Sequence, residues 1–239
     1  MPNSVSELKV KIFADGANLS TMIDMSKRHI IKGLTTNPTL MRKAGIVDYK
    51  KFAKDVLLEI RDKPVSFEVF SDDLNEMIRQ GTEIASWGKN VNVKIPVTNS
   101  KGIETISVIK ELSSRGVTLN ITALLTVEQV REVVKALDHE AGAFISVFAG
   151  RIADTGRDPI PLMQESLQIM TEKPKSELIW ASPRELLNVF QADAIGCHVI
   201  TATTDILNKL DIIGKDLSQY SLETVKMFRD DAIASGYSV

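Results

Sequence analysis

The sequence predicts an α/β protein, namely a single (β/α)8 TIM barrel with one extra helix at its C-terminal end. Short β-type runs alternate with amphipathic helical stretches to the end of the 239-residue chain. Successive strands begin roughly 20–35 residues apart, which is the length of one βα unit. Eight such units fit a barrel of this size, and no linker or composition shift divides residues 1–239 into two domains.

Each predicted strand is a short run of apolar and β-branched residues, and the stretches between strands carry apolar residues at helical spacing. A helix stop is predicted at Ser114-Arg115-Gly116, just before the fifth strand. The predicted strands are 11–14, 33–36, 65–70, 91–97, 118–123, 143–148, 178–181 and 198–201. The predicted helices include 73–87, 103–115, 127–137 and 161–170, and a last helix, 221–235, follows the final strand.

A doubly wound parallel sheet is the alternative α/β arrangement. Such a fold usually carries a glycine-rich phosphate-binding turn after its first strand. The corresponding turn here is Asp15-Gly16-Ala17-Asn18, which matches neither the GxGxxG nor the Walker pattern. The barrel is therefore the better prediction.

Composition and charge exclude several function classes. The 29 Lys and Arg are balanced by 31 Asp and Glu, so we expect no nucleic-acid partner, because a basic excess is typical of that class. With a single cysteine, Cys197, and three scattered histidines, we expect no metal site and no internal disulfide. The N-terminal segment lacks a signal pattern and no apolar run is long enough for a bilayer, so we expect a cytoplasmic protein without a membrane partner.

Polar side chains stand at the C-terminal ends of the first seven predicted strands. In a barrel these ends carry the chemistry, whereas an interior filled only for packing would hold Val, Ile and Leu. We therefore nominate these residues as the candidate site. They are Asp15, Asn37, Glu68, Lys94, Asn120, Thr122, Ser146, Arg151, Ser182 and Arg184.

Lys94 is the most informative of these residues. It stands between Val93 and Ile95, and strand alternation sends those neighbours away from the side that Lys94 faces. Burial disfavours the charged ammonium, and a neutral amine is a nucleophile toward carbonyls. A strand lysine can instead extend to solvent along its apolar stem. The acids Asp15 and Glu68 on other strands favour Schiff-base chemistry, because that mechanism needs groups that move protons.

A phosphate site is predicted beside the sixth and seventh strands. Arg151 and the turn Ser182-Pro183-Arg184 place two guanidiniums and a hydroxyl on one side of the barrel mouth. Barrels often bind phosphate at their late loops. Solvated surface arginines are the alternative for either arginine taken singly. Asp154 is expected to orient Arg151 as its ion-pair partner.

Four segments of the chain resemble the transaldolases, and the match runs in order over nearly the whole length. The length is similar to that of the small transaldolases, which share a group with the fructose-6-phosphate aldolases. The second and third of the segments given below indicate this family specifically only when they occur together. The four are Ala14-Asp15-Gly16-Ala17-Asn18, Thr35-Thr36-Asn37-Pro38-Thr39-Leu40, Asn92-Val93-Lys94-Ile95-Pro96 and Phe148-Ala149-Gly150-Arg151-Ile152.

The resemblance implies a role for each candidate residue, with sugar phosphates as substrates and no metal or organic cofactor. Lys94 would form the Schiff base with the donor's dihydroxyacetone unit, and Asp15 would take the proton of the donor's C4 hydroxyl. Glu68 and Thr122 would hold the water that shuttles protons. The residues that would bind the dihydroxyacetone moiety are Asn37, Asn120 and Ser146. The residues that would bind the phosphate are Arg151, Ser182 and Arg184, and Phe148 is expected as a further substrate-binding residue.

Three positions indicate a transaldolase, which transfers the three-carbon unit to an aldose phosphate, over an aldolase that releases it. The aldolase branch typically has Gln in place of Glu68 and Tyr in place of Phe148, and it lacks an Asn at Asn120. The expected activity is transfer within the pentose phosphate pathway. The alternatives are an aldolase of the same fold and a catalytically silent sugar-phosphate-binding barrel.

The predicted terminal helix, 221–235, has a larger apolar face than an isolated surface helix needs. In the family that this sequence resembles, small members form rings in which the last helix packs on a neighbouring subunit. We therefore expect a homo-oligomer.

Overall fold

Eight parallel strands close into a barrel in the computed structural model, which describes residues 4–237. Each strand pairs with its sequence neighbours, and the first strand also pairs with the eighth. The predicted barrel is therefore confirmed. The strands are β1 Lys11–Asp15, β2 Ile31–Thr35, β3 Val65–Glu68, β4 Val91–Pro96, β5 Leu119–Leu124, β6 Ala143–Val147, β7 Ser176–Trp180 and β8 Val199–Thr203.

Helices follow the strands and cover the outside of the barrel. In the first half of the chain they are α1 Leu19–Lys27, α2 Pro38–Lys43, α3 Tyr49–Glu59, α4 Leu74–Ala85 and α5 Ile106–Ser114. In the second half they are α6 Val127–Ala136, α7 Ala149–Asp154, α8 Ile160–Met170, α9 Leu187–Ala194, α10 Thr204–Leu207 and α11 Leu217–Ala234. Short 3-10 turns occupy Val5–Glu7 and Asn208–Ile212.

The predicted elements are present, but some ends differ from the prediction. β7 begins two residues before the predicted position 178, and the polar Glu177 in that extension pairs with Lys11 of β1. α11 begins four residues before position 221, because the Asp216 side chain accepts a hydrogen bond from the backbone N–H of Gln219 and so caps the helix. In both places a polar contact extends an element beyond its apolar pattern.

Side-chain caps fix the entry of the chain into several barrel helices. Thr126 and Gln129 form a reciprocal capping box at the start of α6. Asn37 caps α2 by accepting a hydrogen bond from the N–H of Leu40, and Pro38 occupies the first helical position. The second cap matters for function, because it places the candidate residue Asn37 directly at the barrel mouth.

Alternation along the strands separates a helix-facing core from a partly polar barrel interior. Val93 and Ile95 are fully buried in the main hydrophobic core, while Lys94 between them is 7% exposed. A second, smaller apolar cluster contains Phe13, Ile179 and Val199, with Phe144 packed against it. Buried polar residues form the rest of the interior, and they include Ser66, Asn92, Asn120, Ser146 and Thr201.

Cys197 and His198, just before β8, have structural roles. Cys197 is buried, and burial raises the pKa of its thiol to about 12. The Nδ1 atom of His198 accepts a hydrogen bond from the N–H of Leu178, and burial lowers the pKa of its imidazole. Cys197 is therefore packed within the barrel wall, and His198 is hydrogen-bonded within it.

Neither a membrane span nor a metal cluster is found in the described part of the chain. No helix within 4–237 combines the length and apolar character that crossing a bilayer requires. In the same range, no group of three His, Cys, Asp or Glu side chains is arranged to hold a metal ion.

Candidate active site

The candidate site is a cavity of about 510 Å³ at the C-terminal end of the strands. Every residue nominated from the sequence lines this cavity except Asn120, which lies buried below its surface. The ends of the strands therefore bring these side chains together at one place, as the sequence predicts. The nominated lining residues are Asp15, Asn37, Glu68, Lys94, Thr122, Ser146, Phe148, Arg151, Ser182 and Arg184.

Lys94 projects from β4 into the cavity beside a carboxylate. Its Nζ lies 3.2 Å from Oε2 of Glu68, and the two residues are register partners on β4 and β3. The same Nζ donates a 3.0 Å hydrogen bond to the backbone carbonyl of Thr36. The amine is thus held at the floor of the cavity with a proton acceptor in contact.

Asp15 lies at the end of β1 and is held by two neighbours. The Thr35 hydroxyl donates to Oδ1 at 2.8 Å, and the Asn37 amide donates to Oδ2 at 3.2 Å. Burial raises the pKa of Asp15 above its ordinary value of 3.8, and the nearby Lys94 ammonium opposes this rise. A carboxylate with a raised pKa is suited to exchange protons with a substrate hydroxyl.

Polar side chains below and beside Lys94 form a short hydrogen-bonded chain. The Asn120 amide donates to Oγ of Ser66 at 3.0 Å, and Oγ of Ser146 donates to Oδ1 of Asn120 at 2.7 Å. The chain therefore fixes the position of the Ser146 hydroxyl at the cavity wall. The buried hydroxyl of Thr122 has no partner among residues 4–237, so it is free to bind a substrate or a water.

Thr122 faces the cavity by strand alternation from Asn120, and a bulge in β5 brings Ala123 to the cavity beside it. The pairing of β5 with β6 shifts between Ile121 and Leu124. Ala123 has a φ of 65°, a left-handed conformation that non-glycine residues rarely adopt. The bulge therefore lets two consecutive residues of β5 line the cavity.

The expected ion pair between Asp154 and Arg151 is wrong. Asp154 instead pairs with Arg184, whose Nε lies 2.8 Å from Oδ1. Nη1 of Arg184 also donates to Oγ of Ser182 at 3.0 Å. Asp154 lies on α7 and Arg184 lies in the loop after β7. The fold therefore brings Arg184 closer to this carboxylate than Arg151, which is only three residues away in sequence.

The guanidinium of Arg151 is the one that remains available to an anion. It lies over the ring of Phe148, 5.7 Å from the ring centroid, and forms no ion pair with a described carboxylate. Arg184, by contrast, already holds Asp154. Of the two arginines in this cavity, Arg151 is therefore the one that could meet a phosphate without first giving up an ion pair within the described residues.

The loop after β7 fits closely against the start of α7. A Cβ added at Gly150 would lie 1.7 Å from the backbone carbonyl oxygen of Ser182, so only glycine fits there. Ser182 itself has a φ of 60°, in the left-handed region. This close approach brings α7, which carries Arg151, against the loop that carries Arg184.

Several residues that line the cavity were not nominated from the sequence, and three of them carry a hydroxyl or an amine that faces this site, namely Thr35, Thr201 and Lys43. Thr35 and Thr201 line the wall, and their hydroxyls lie 2.6 Å apart. Thr201 carries a signal that points to the site, since it follows Val199 at the two-residue period of inward positions. Lys43 lies at the last position of the short helix α2, so its place in the cavity could not be predicted from its distance to a strand end.

One amine, two carboxylates and several hydroxyl and amide groups thus meet at the floor of the cavity. Asp15, Glu68 and Lys94 lie close enough to influence one another electrostatically. Such a set can add an amine to a carbonyl and move the protons that the addition requires. The cations at the rim suit a substrate with an anionic end.

Comparison with known proteins gives a family match and curated relatives. The profile described as transaldolase/fructose-6-phosphate aldolase matches residues 12–236. A protein of Dehalococcoides mccartyi named probable transaldolase is 36% identical over 202 residues, which cover 84% of this chain and 90% of that protein. A protein of the same name from a Thermoanaerobacter species is 31% identical over 218 residues, covering 91% and 95%.

Solved structures give the fold alone. The dihydrodipicolinate synthase of Rhodopseudomonas palustris superposes with a TM-score of 0.59 at 11% sequence identity. The superposition covers 96% of this chain and 80% of that one. At this identity, the likeness supports the barrel architecture and leaves the chemistry to the residues of the cavity.

Proposed function

Because the chain belongs to the transaldolase/fructose-6-phosphate aldolase family, we propose that it is a transaldolase acting through a Schiff base on Lys94. It transfers a dihydroxyacetone unit from fructose 6-phosphate or sedoheptulose 7-phosphate to glyceraldehyde 3-phosphate or erythrose 4-phosphate. This reaction belongs to the non-oxidative pentose phosphate pathway of the cytoplasm. The observation that carries the proposal is the buried Lys94 amine, held 3.2 Å from Glu68 at the floor of the cavity.

The first half of the reaction attaches the donor to Lys94. The ammonium gives a proton to Glu68, and the neutral amine attacks the C2 carbonyl carbon of the ketose. The carbinolamine then loses water, and the protons of this step pass between Glu68 and a water held by the Thr122 hydroxyl. The product is a positively charged imine on Nζ, which supplies the electron sink that a metal or organic cofactor would otherwise provide.

The second half breaks and remakes a carbon–carbon bond. Asp15 removes the proton of the C4 hydroxyl, the C3–C4 bond breaks, and its electron pair moves through C3 to the imine nitrogen. The shortened aldose phosphate leaves as an aldehyde, and the enamine stays on Lys94. When the acceptor aldehyde binds, C3 attacks it, Asp15 returns its proton to the new hydroxyl, and hydrolysis frees Lys94.

Substrate orientation is divided between two sides of the cavity. Asn37 and Ser146 hydrogen-bond the hydroxyls of the dihydroxyacetone unit, and Asn120 acts from below through its bond with Ser146. The residues proposed for the phosphate are Arg151, Ser182 and Arg184, and of the two arginines only Arg184 has a carboxylate partner among the described residues. This division aligns the scissile bond with Asp15.

Transfer is favoured over release by a carboxylate at Glu68 and by the absence of a phenol at Phe148. The test supplies fructose 6-phosphate with and without erythrose 4-phosphate. We expect glyceraldehyde 3-phosphate to form rapidly only when erythrose 4-phosphate is present, with sedoheptulose 7-phosphate as the second product. Equal rates in both mixtures, with free dihydroxyacetone accumulating, would instead identify a fructose-6-phosphate aldolase.

We also propose that the protein is a homo-oligomer held by α11. No residue of this helix is buried, and Phe228, 63% exposed, lies among other exposed apolar side chains such as Leu222 and Val225. Covering these groups with a second copy of the chain would remove their apolar surface from water. Truncation after Ser218 is expected to lower the mass measured by light scattering to that of a smaller species. An assembly of unchanged size would contradict this role for α11.

A further inference from the structure

The hydrogen-bond ladder between β2 and β3 ends one step before the catalytic carboxylate. Its bonds recur at every second residue, and the last of them runs 3.2 Å from the N–H of Thr36 to the carbonyl oxygen of Ser66. The next donor in this series would be residue 38, and the next acceptor would be the carbonyl of Glu68. Residue 38 is a proline, which has no N–H to donate.

The hydroxyl of Tyr49 supplies the missing donor. Tyr49 is the first residue of α3, and its Oη donates a 2.9 Å hydrogen bond to the carbonyl oxygen of Glu68. A small cavity of about 420 Å³ is lined by Pro38, Tyr49 and Glu68 together, so the three residues are neighbours in space. The side chain thus completes the strand edge where the backbone cannot.

The Tyr49 ring is fixed by other aromatic rings. Its centroid lies 5.0 Å from that of Phe70, 5.5 Å from that of Trp87 and 6.3 Å from that of Phe67, all in edge-on geometry. Burial raises the pKa of the phenol, so the hydroxyl keeps its proton and remains a donor at neutral pH. A donor held in this way has little freedom to move away from the Glu68 carbonyl.

We propose that Tyr49 is a positioning residue for the Schiff-base reaction, because its hydroxyl fixes the backbone of Glu68 and so holds that carboxylate against Lys94. The inference rests on the proposed function, in which Glu68 moves protons during imine formation. Glu68 is the last residue of β3, and its carboxylate lies 3.2 Å from Nζ of Lys94. A displacement of the strand end would lengthen this contact, and proton transfer is steeply sensitive to such displacements.

The variant Tyr49→Phe tests this inference, because it keeps the ring packing and removes only the donor. With fructose 6-phosphate and erythrose 4-phosphate as substrates, we expect kcat to fall about tenfold while KM stays within about twofold of the wild-type value. The matched control is Tyr237→Phe, which removes the same atom from a residue that is 79% exposed. The control is expected to keep the wild-type kcat and KM. Each rate is measured well below the unfolding midpoint of that variant.

The outcomes distinguish a failure of the proposed function from a failure of the proposed role of Tyr49. If the wild-type protein neither transfers the three-carbon unit nor forms a reducible imine, the proposed function is wrong. If the wild-type protein is active and Tyr49→Phe keeps its kcat, the role of Tyr49 is overturned, even when the unfolding midpoint of the variant is lower. A rise in KM at unchanged kcat would also overturn it, because a substrate contact would then explain the effect.

Discussion

Replacement of Lys94 by alanine is expected to lower the rate of dihydroxyacetone transfer by at least about 10⁴-fold. The reason is that the proposed mechanism has this amine form the covalent bond to the donor, and Lys94 is the lysine that meets Glu68 at the floor of the cavity. The measurement is kcat/KM with fructose 6-phosphate and erythrose 4-phosphate. Circular dichroism checks that the barrel is folded.

The control for this variant is Lys110→Ala. Lys110 is exposed on α5, on the outside of the barrel, and has no part in the cavity. It is expected to retain the wild-type rate. A folded Lys94→Ala protein with more than a few per cent of wild-type activity would contradict the assignment of the nucleophile.

Replacement of Asp15 by asparagine is expected to lower kcat by roughly 10²–10⁴-fold, the usual contribution of a general base. Asparagine keeps an oxygen that can accept from the Thr35 hydroxyl and loses only the acceptor of the longer bond from the Asn37 amide, so the change removes proton transfer more than structure. Because Asp15 acts after imine formation in the proposed mechanism, the variant is expected to bind the whole ketose phosphate covalently. Borohydride reduction should then trap a six-carbon phosphorylated adduct in place of the three-carbon adduct of the wild type.

The pH dependence of the same variant gives a second test. Burial raises the pKa of Asp15 above 3.8, and the base works only when it is deprotonated. The wild-type kcat should therefore fall as the pH is lowered, beginning above the range of an ordinary aspartate. The residual activity of Asp15→Asn should lack this decline. An identical acidic limb in both proteins would assign it to another group.

The barrel and the place of its site were predictable because both depend on short-range periodicity. Alternation by two puts Val93 and Ile95 on the helix side of β4 and therefore puts Lys94 inside. A closed parallel barrel then gathers the strand ends, which is why Asp15, Glu68 and Lys94 meet although far apart in sequence. Local pattern and fold geometry were sufficient for these residues.

The contacts that the sequence did not predict depend on loops and on hydrogen bonds. Asp154 pairs with Arg184, thirty residues away, because the glycine at position 150 lets the loop after β7 approach α7. Tyr49 donates to the Glu68 carbonyl at the point where Pro38 has no N–H to continue the backbone ladder. No periodicity or motif in the sequence indicates either contact, since each depends on how the three-dimensional fold places a side chain.

The most direct test of the account is the intact mass of the protein after incubation with fructose 6-phosphate and borohydride. The wild-type protein is expected to gain a reduced three-carbon adduct, and Lys94→Ala is expected to gain none. That result would establish an imine on Lys94. The absence of an adduct on active wild-type protein would contradict covalent catalysis, and an adduct that persists in Lys94→Ala would place the nucleophile on a different lysine.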